Sequence, residues 1–280
     1  LGILIPPSVI LIIYSILTEQ NIAKMFLAAF VPGILAAIGY LIAIAIFVRI
    51  KPDSGPPTSY VGWRQRLNLF GQVWQILVIF FLVIGGIYLG WFTPTEGASI
   101  GAAGTGIMAL FTKGFNFSDL IDVIKDTAVT SAMIFLVLLG AEFFNSFIAL
   151  TQITNELATF VISNELSPYL VVFCILVLYI LLGCLMDSLA MILLTIPVFF
   201  PIIIELDFGM SIEEVAIWFG ILTLIVVEVG LITPPVGLNV FIINKMAKNV
   251  PISDTFIGVL PFLISDLIRV GILFIFPGIS

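Results

Sequence analysis

Residues 230–241 read GLITPPVGLNVF and lie inside an apolar run, 212–247, that is long enough to cross a membrane. A helix in lipid has to satisfy its own backbone. Two consecutive prolines remove two N–H donors and clash with the preceding turn. The run therefore predicts a helix that opens at 230–237, with Gly230 and Gly237 allowing the backbone angles of an unwound stretch. The chain begins LGILIPPSVILII, so the same device occurs twice. The likeness goes past the dipeptide. Pro7 is followed 25 residues later by Pro32, and Pro235 is followed 26 residues later by Pro261, each in an apolar run.

Composition explains why these breaks must be read in lipid. Of the 280 residues 61% are hydrophobic and only 10% charged, against about 25% charged in soluble domains. This is an integral membrane protein, and apolar stretches of about 20 residues indicate helices rather than a barrel. A net charge of −7 with ten scattered bases argues against nucleic acid as a partner. The absence of His and the presence of two Cys argue against a catalytic or structural metal site, and no nucleophile motif suggests an enzyme. Cys174 and Cys184 are separated by about 15 Å of helical rise, too far for a disulfide. Leu1 is no Met and lies within one of the two motifs, so further chain is expected before it, and a site built from two halves would be contained here only in part.

Spacing of the apolar runs predicts a half-length helix at 3–16 and spans at 24–49, 70–90, 94–112, 128–148 and 254–276. Ser211 and Glu214 form a capping box at the start of the 212 helix. Ser118 is expected to cap a short helix, DLIDVIKD. TQITNELATFVIS places Ile153, Leu157 and Phe160 on one face and is expected to lie flat at the interface. Gly97, Gly101 and Thr105, with Ala98, Ala102 and Gly106 beside them, predict a close-packed helix contact, and Gly86 and Gly90 read the same way. Eight of the ten bases flank the 50–67, 113–127 and 245–253 loops, which places those loops in the cytoplasm. The parity of spans holds if 168–206 is a re-entrant hairpin with both ends outside and its tip, GCLMDS at 183–188, near mid-membrane. Two Pro-Pro motifs with opposite directions then form an inverted repeat, which points to a secondary transporter.

Carbonyls freed at such a break suit a cation, and the N–H groups of the following half-helix suit an anion. Thr233 adds a hydroxyl and Asn239 an amide. A kink that serves packing alone is the alternative reading of one Pro-Pro pair. Asp187 and Ser188 sit at the hairpin tip, where an ionisable side chain reads as functional. Glu228 either lines the site or stabilises the packing of the broken helix. Asp266 and Arg269, three apart, have ion-pair spacing and are expected to neutralise each other. Glu96 and Glu142 are possible buried helix contacts.

The strings LGILIPPSVILIIY, VPGILAA, GGIYLGWFTPTEGA, MDSLAMILLTIPVFFPI and VEVGLITPPVGLNVF, spread over nearly the whole chain, resemble the large membrane subunit of tripartite ATP-independent periplasmic (TRAP) transporters. The resemblance implies an all-α, inverted-repeat, elevator-type carrier in the bacterial inner membrane. It implies coupling to sodium with no other cofactor, a small membrane subunit, and a periplasmic protein that delivers an organic acid such as sialic acid or a C4-dicarboxylate. In that scheme 1–16 is the second half of the first broken helix and 17–150 holds the scaffold helices. An interfacial helix occupies 151–166, the hairpin and second broken helix 167–247, and a last span 248–280. The implied cation site maps to Gly183, Asp187, Ser188, Gly230 and Thr233, with sodium held at Gly183, Gly230 and Thr233. Substrate contacts are expected at Gly2, Pro6, Pro7 and Ser8 in the first break and at Pro234, Pro235, Gly237 and Asn239 in the second. A stand-alone sodium–dicarboxylate carrier of similar architecture is the nearest alternative, and a channel the next.

Overall fold

The chain is all-helical in the computed structural model, which describes residues 2–52, 55, 62–111, 115–247 and 250–279. Lys113 and Lys248, used above for orientation, and most of the 50–67 loop lie outside the described residues. The helices are α1 (Val9–Leu17), α2 (Ile22–Ala28), α3 (Phe30–Ile50), α4 (Trp63–Tyr88), α5 (Pro94–Phe111) and α6 (Phe117–Thr151). They continue with α7 (Ile153–Ser163), α8 (Pro168–Gly183), α9 (Ser188–Ile204), α10 (Ile212–Ile232), α11 (Leu238–Met246) and α12 (Ile252–Ile275). Among the described residues four stretches are long and apolar enough to cross a membrane: Ile22–Ile50, α6, α10 and α12. The pair Trp63–Gly71 and Val73–Tyr88, bent by 62°, passes the same test when its two parts are taken together as one span.

Two compact units form, Leu1–Lys51 with Val137–Ser280, and Pro52–Leu136. In the first, α10 is the core. Between Val215 and Leu231 only Ile217 and Glu228 are not buried, as a helix apolar on every face requires. Packed on it are α8, α12, α9 and α1, while α3 lies on α12 and α7 on α9. Polar side chains tie these contacts at named points. The Tyr14 hydroxyl donates to the Ala216 carbonyl at 2.7 Å, and Trp218 Nε1 donates to the Leu273 carbonyl at 2.8 Å. The ring of Tyr14 occupies the space that a side chain at Gly220 would need, 2.4 Å from an added Cβ. Residues 17–51, grouped above with the scaffold helices, lie in the same compact unit as the hairpin and both breaks.

In the second unit α5 packs on α4 through glycines. A Cβ on Gly97, Gly101 or Gly104 would meet Ile87, Val83 or Ile79 at 2.9, 3.5 and 3.2 Å. The stripe is thus 97, 101 and 104, and Thr105 instead bonds its own helix at the Gly101 carbonyl. Gly86 holds the ring of Phe92. Gly90 does not pack closely as expected: it has φ +72 with open space around it and ends α4 as a turn residue.

Several expected boundaries shift for identifiable reasons. The helix expected at 3–16 begins only at Val9, capped by Ser8, because Pro6 and Pro7 hold residues 2–7 out of helix. The 24–49 span divides at Ala29, since Pro32 has no N–H to give the Ala28 carbonyl. The short helix at 118 and the span at 128–148 are one helix, α6, starting at Phe117, so Ser118 lies in its first turn and is not its cap. No Gly or Pro occurs in it before Gly140, and a drop in hydropathy alone does not end a helix. Glu96 is exposed and forms a capping box, accepting from the Thr93 N–H at 2.8 Å, and Glu142 is exposed on α6. The capping box of Ser211 and Glu214 is present, and Cys174 and Cys184 are both free thiols. On α7 the side chains of Ile153, Leu157 and Phe160 point away from the protein.

Candidate ion and substrate site

The hairpin has two short arms. At 1.5 Å per residue, α8 and α9 are each about 25 Å long, less than the roughly 30 Å of a bilayer core. Pro168 opens α8 in its first turn. Asp187 starts α9 as its N-cap, its carboxylate accepting from the Leu189 N–H at 3.0 Å. Between the arms, the Leu182 carbonyl accepts from both Leu185 and Met186 at 2.9 Å, closing a tight turn.

The arm α8 crosses α10 with backbone against backbone. A Cβ built on Gly183 would lie 2.9 Å from the Gly230 Cα and 3.2 Å from the Val227 carbonyl oxygen. A Cβ on Gly230 would lie 2.7 Å from the Gly183 Cα and 3.0 Å from the Ile180 oxygen. No residue other than glycine fits either position without moving a helix. The crossing therefore brings the tip to the last turn of α10, directly before the prolines.

That turn ends in a set of backbone oxygens. Pro234 and Pro235 supply no N–H to the carbonyls of Gly230 and Leu231. Thr233 is the C-cap, with φ −88 and ψ 137, and its N–H turns back to Gly230 at 3.1 Å. Its hydroxyl donates to the Val229 carbonyl, which leaves the oxygen's lone pairs for other use. Among the described residues no backbone N–H donates to the carbonyl of Gly183 or of Leu231. The Cys184 thiol sits within reach of two carbonyls, Ile180 at 3.2 Å and Pro234 at 3.6 Å, and so joins the tip to the proline pair. Both Pro-Pro bonds, 6–7 and 234–235, are cis. Gly237 then reverses the chain with φ +58 and opens α11. A side chain there would meet the Phe256 ring at 3.0 Å and the Thr233 carbonyl at 3.3 Å.

The structure thus gathers Gly183, Gly230 and Thr233 at one spot, with Pro234 beside them. Ser188 is buried in the first turn of α9, whereas Asp187 is exposed and occupied in capping. Pro234, Pro235 and Asn239 are exposed around the start of α11. In the first break, Pro6 and Ser8 are buried and Gly2 and Pro7 exposed. The Ser8 hydroxyl accepts from the Leu11 N–H at 3.3 Å. Glu228, two residues before Gly230 on α10, is half-buried. Two residues lie about 200° apart around a helix, so Glu228 and Gly230 face different partners. The Cys184 contact escaped the sequence, where the thiol was weighed only for a disulfide; its place beside Gly183 in the tip was the available signal.

Comparison with known proteins bears on what such a site serves. A family described as "Tripartite ATP-independent periplasmic transporter, DctM component" matches residues 1–279. The chain is 32% identical over 281 residues to the C4-dicarboxylate TRAP transporter large permease protein DctM of Pseudomonas aeruginosa, covering all of this chain and 64% of that protein. It is 31% identical over 281 residues to the sialic acid TRAP transporter permease protein SiaT of Haemophilus influenzae, covering all of this chain and 44% of that protein. Identity to the isethionate TRAP transporter permease protein DctMQ of Oleidesulfovibrio alaskensis is 27% over 252 residues, 89% of this chain and 38% of that protein. The chain therefore spans less than two thirds of the length of each of these relatives.

Proposed function

The chain belongs to the family of the DctM component of tripartite ATP-independent periplasmic transporters, and from that membership we propose that it serves as the large permease subunit of a sodium-coupled transporter for a small organic acid. The observation that carries this reading is the Gly183–Gly230 crossing beside the second proline break. The Gly183 and Leu231 carbonyls, which accept no backbone N–H among the described residues, and the Thr233 hydroxyl offer hard oxygen ligands beside a crossing that two glycines keep close. Sodium, a hard cation, suits oxygen ligands in the way calcium and magnesium do. The helix that starts at Leu238 turns its N–H groups toward the same break, where a carboxylate is favoured. Gly237, Asn239 and the residues of the first break, Gly2 to Ser8, are the proposed substrate contacts. Relatives named for C4-dicarboxylates, sialic acid and isethionate all carry small anions, and this chain is assigned to that class.

The assembly that follows has two groups of helices in the inner membrane. The hairpin and the broken helices, related by an inverted repeat, carry ion and substrate in an elevator movement. A small membrane subunit packs on the scaffold group, and a periplasmic binding protein delivers the acid. Thr233→Val removes one oxygen at nearly constant volume. It should raise the sodium concentration for half-maximal uptake in proteoliposomes, and Asp187→Asn should raise it further by removing a negative charge near the ion. If both variants keep the wild-type sodium dependence, the ion is not held at this break.

Orientation has its own test. In a background with Cys174 and Cys184 replaced, single cysteines at Ser54 and Asn155 should react with impermeant reagents from opposite sides, the first from the cytoplasm. Labelling of both from one side is incompatible with the inverted arrangement.

A further inference from the structure

Each of the two proline breaks adjoins one helix, α1 or α10, and a single side chain fixes how far along each other these helices lie. Lys24 of α2, just past α1, pairs with Glu213 in the first turn of α10. The end of α1 away from its break therefore lies beside the start of α10, and both helices run from there toward their breaks. Between them Tyr14 is fully buried. Ala216 and Gly220, four apart on one face of α10, form a notch for its ring. An added Cβ on Gly220 would stand 2.7 Å from Tyr14 Cζ and 2.9 Å from Met25 Cε. The Tyr14 hydroxyl donates to the Ala216 carbonyl at 2.7 Å, one turn back along α10. On its other side the ring meets Phe200 of α9 edge-on, with centroids 6.4 Å apart. A ring enclosed in this way resists sliding, because a close-packed interior has no free volume to receive it. At 1.5 Å per residue, α1 covers about 7.5 Å from Tyr14 to Val9, and α10 about 18 Å from Gly220 to Ile232. The non-helical residues 2–8 are long enough to take up the difference of about 10 Å.

We propose that Tyr14 is a positioning residue: seated on Gly220 and bonded to Ala216, it sets the axial register of α1 against α10, so that one acid anion meets both breaks at once. The proposal rests on the reading above, in which substrate contacts are shared between Gly2–Ser8 and the pair Gly237 and Asn239. The oxygens assigned to the ion, at Gly183, Leu231 and Thr233, all lie on the hairpin and the second break. Loss of register therefore separates the two halves of the substrate site and leaves the ion ligands together. A residue that served packing alone would lower stability without distinguishing acid from ion.

Gly220→Ala pushes the ring off its seat. The atoms that the new carbon meets belong to side chains, which can shift, so the protein should still fold with α1 displaced. Uptake of succinate, sialic acid and isethionate by the full transporter in proteoliposomes reads the effect. For an acid that the wild type takes up, Gly220→Ala should raise the half-saturating concentration about tenfold, as loss of a hydrogen bond to a charged group predicts, with half-saturating sodium within about threefold of wild type. Tyr14→Phe keeps the ring in the notch and should stay within about fivefold for the acid, the loss of one neutral hydrogen bond. Tyr14→Leu combined with Gly220→Ala refills the notch without the ring. This double variant should melt closer to wild type than Gly220→Ala does, while its half-saturating acid concentration stays raised. Recovery of both, or equal loss of acid and sodium affinity in Gly220→Ala, overturns the proposal. The register is also read directly, from the distance between spin labels on cysteines introduced at Val9 and Leu238, both exposed, in a background with Cys174 and Cys184 replaced. That distance should shift by at least one residue's rise, about 1.5 Å, in Gly220→Ala and stay unchanged in Tyr14→Phe; no shift in Gly220→Ala overturns the proposal. If the wild type takes up none of the three acids, the substrate reading fails by itself, and the label distance still decides whether Tyr14 sets the register.

Discussion

Arg269→Leu is expected to destabilise the protein by about 3–5 kcal/mol, the loss seen when one partner of a buried ion pair is removed. Arg269 and Asp266 are 5% and 2% exposed, and Arg269 Nη2 lies 2.9 Å from Asp266 Oδ1. The geometry is that of charge neutralisation more than of a good hydrogen bond. Asp266 Oδ1, Arg269 Nε and Arg269 Nη1 have no hydrogen-bond partner among the described residues. A pair held this way returns little net stability for its desolvation, but each member alone is far worse placed. The single change leaves a carboxylate in an apolar helix bundle, with only the Tyr40 hydroxyl donating to it at 2.7 Å. Asp266→Asn combined with Arg269→Leu removes both charges and keeps an acceptor for Tyr40. The double variant should therefore recover most of the loss. Thermal unfolding of the purified permease in detergent reads both, with a fall on the order of 10 °C for the single change. A double variant no more stable than Arg269→Leu would mean that the two charges do not serve mainly to cancel each other.

This pair was legible from spacing alone, since residues three apart on a helix are neighbours. So were both breaks, because proline acts through its own covalent structure and needs no partner to do so. The Ser211–Glu214 box is likewise local and stands as expected. What the sequence concealed was decided between elements. Gly183 and Gly230 could each be singled out, but their contact is set by the angle at which α8 crosses α10. Glu96 reads as a buried acid because apolar residues follow it, whereas a residue three positions after Thr93, closing a capping box with it, is polar for local reasons. The helix that contains 128–148 runs back to Phe117, because lipid exposure and helix formation obey different rules. α6 carries Asp119, Asp122, Lys125 and Asp126 without a break, since none of them disturbs the backbone. Asp187, singled out for its charge at the hairpin tip, also caps α9 through the Leu189 N–H, a use the same side chain offers at any helix start.

Gly230→Ala should be the most damaging single-carbon change in the second broken helix. Most glycines in helices destabilise them relative to alanine, by about 1 kcal/mol. Gly271 on α12 has nothing within 4 Å of an added Cβ, so Gly271→Ala should be neutral or mildly stabilising by that measure. Gly230 has the opposite surroundings. The added carbon would lie 2.7 Å from the Gly183 Cα, 3.0 Å from the Gly183 carbonyl carbon and 3.0 Å from the Ile180 oxygen. All three are backbone atoms, so no side chain can rotate away, and α8 has to separate from α10. Overpacking in a core typically costs about 1–3 kcal/mol, and this instance belongs at the upper end because a whole arm must move. The same displacement moves the hairpin tip at Gly183 away from the last turn of α10. Uptake should then fall more steeply than stability does, whereas Gly271→Ala should leave uptake near wild type. Gly183→Ala meets the same contacts from the other helix and should match Gly230→Ala. Combining the two should add little beyond either one, since the first already separates the helices. Sodium-dependent uptake and detergent melting temperature, measured on the two single variants, the double and Gly271→Ala, test this directly. If Gly230→Ala melts and transports like Gly271→Ala, the close crossing of α8 and α10 is not what holds the tip against the break.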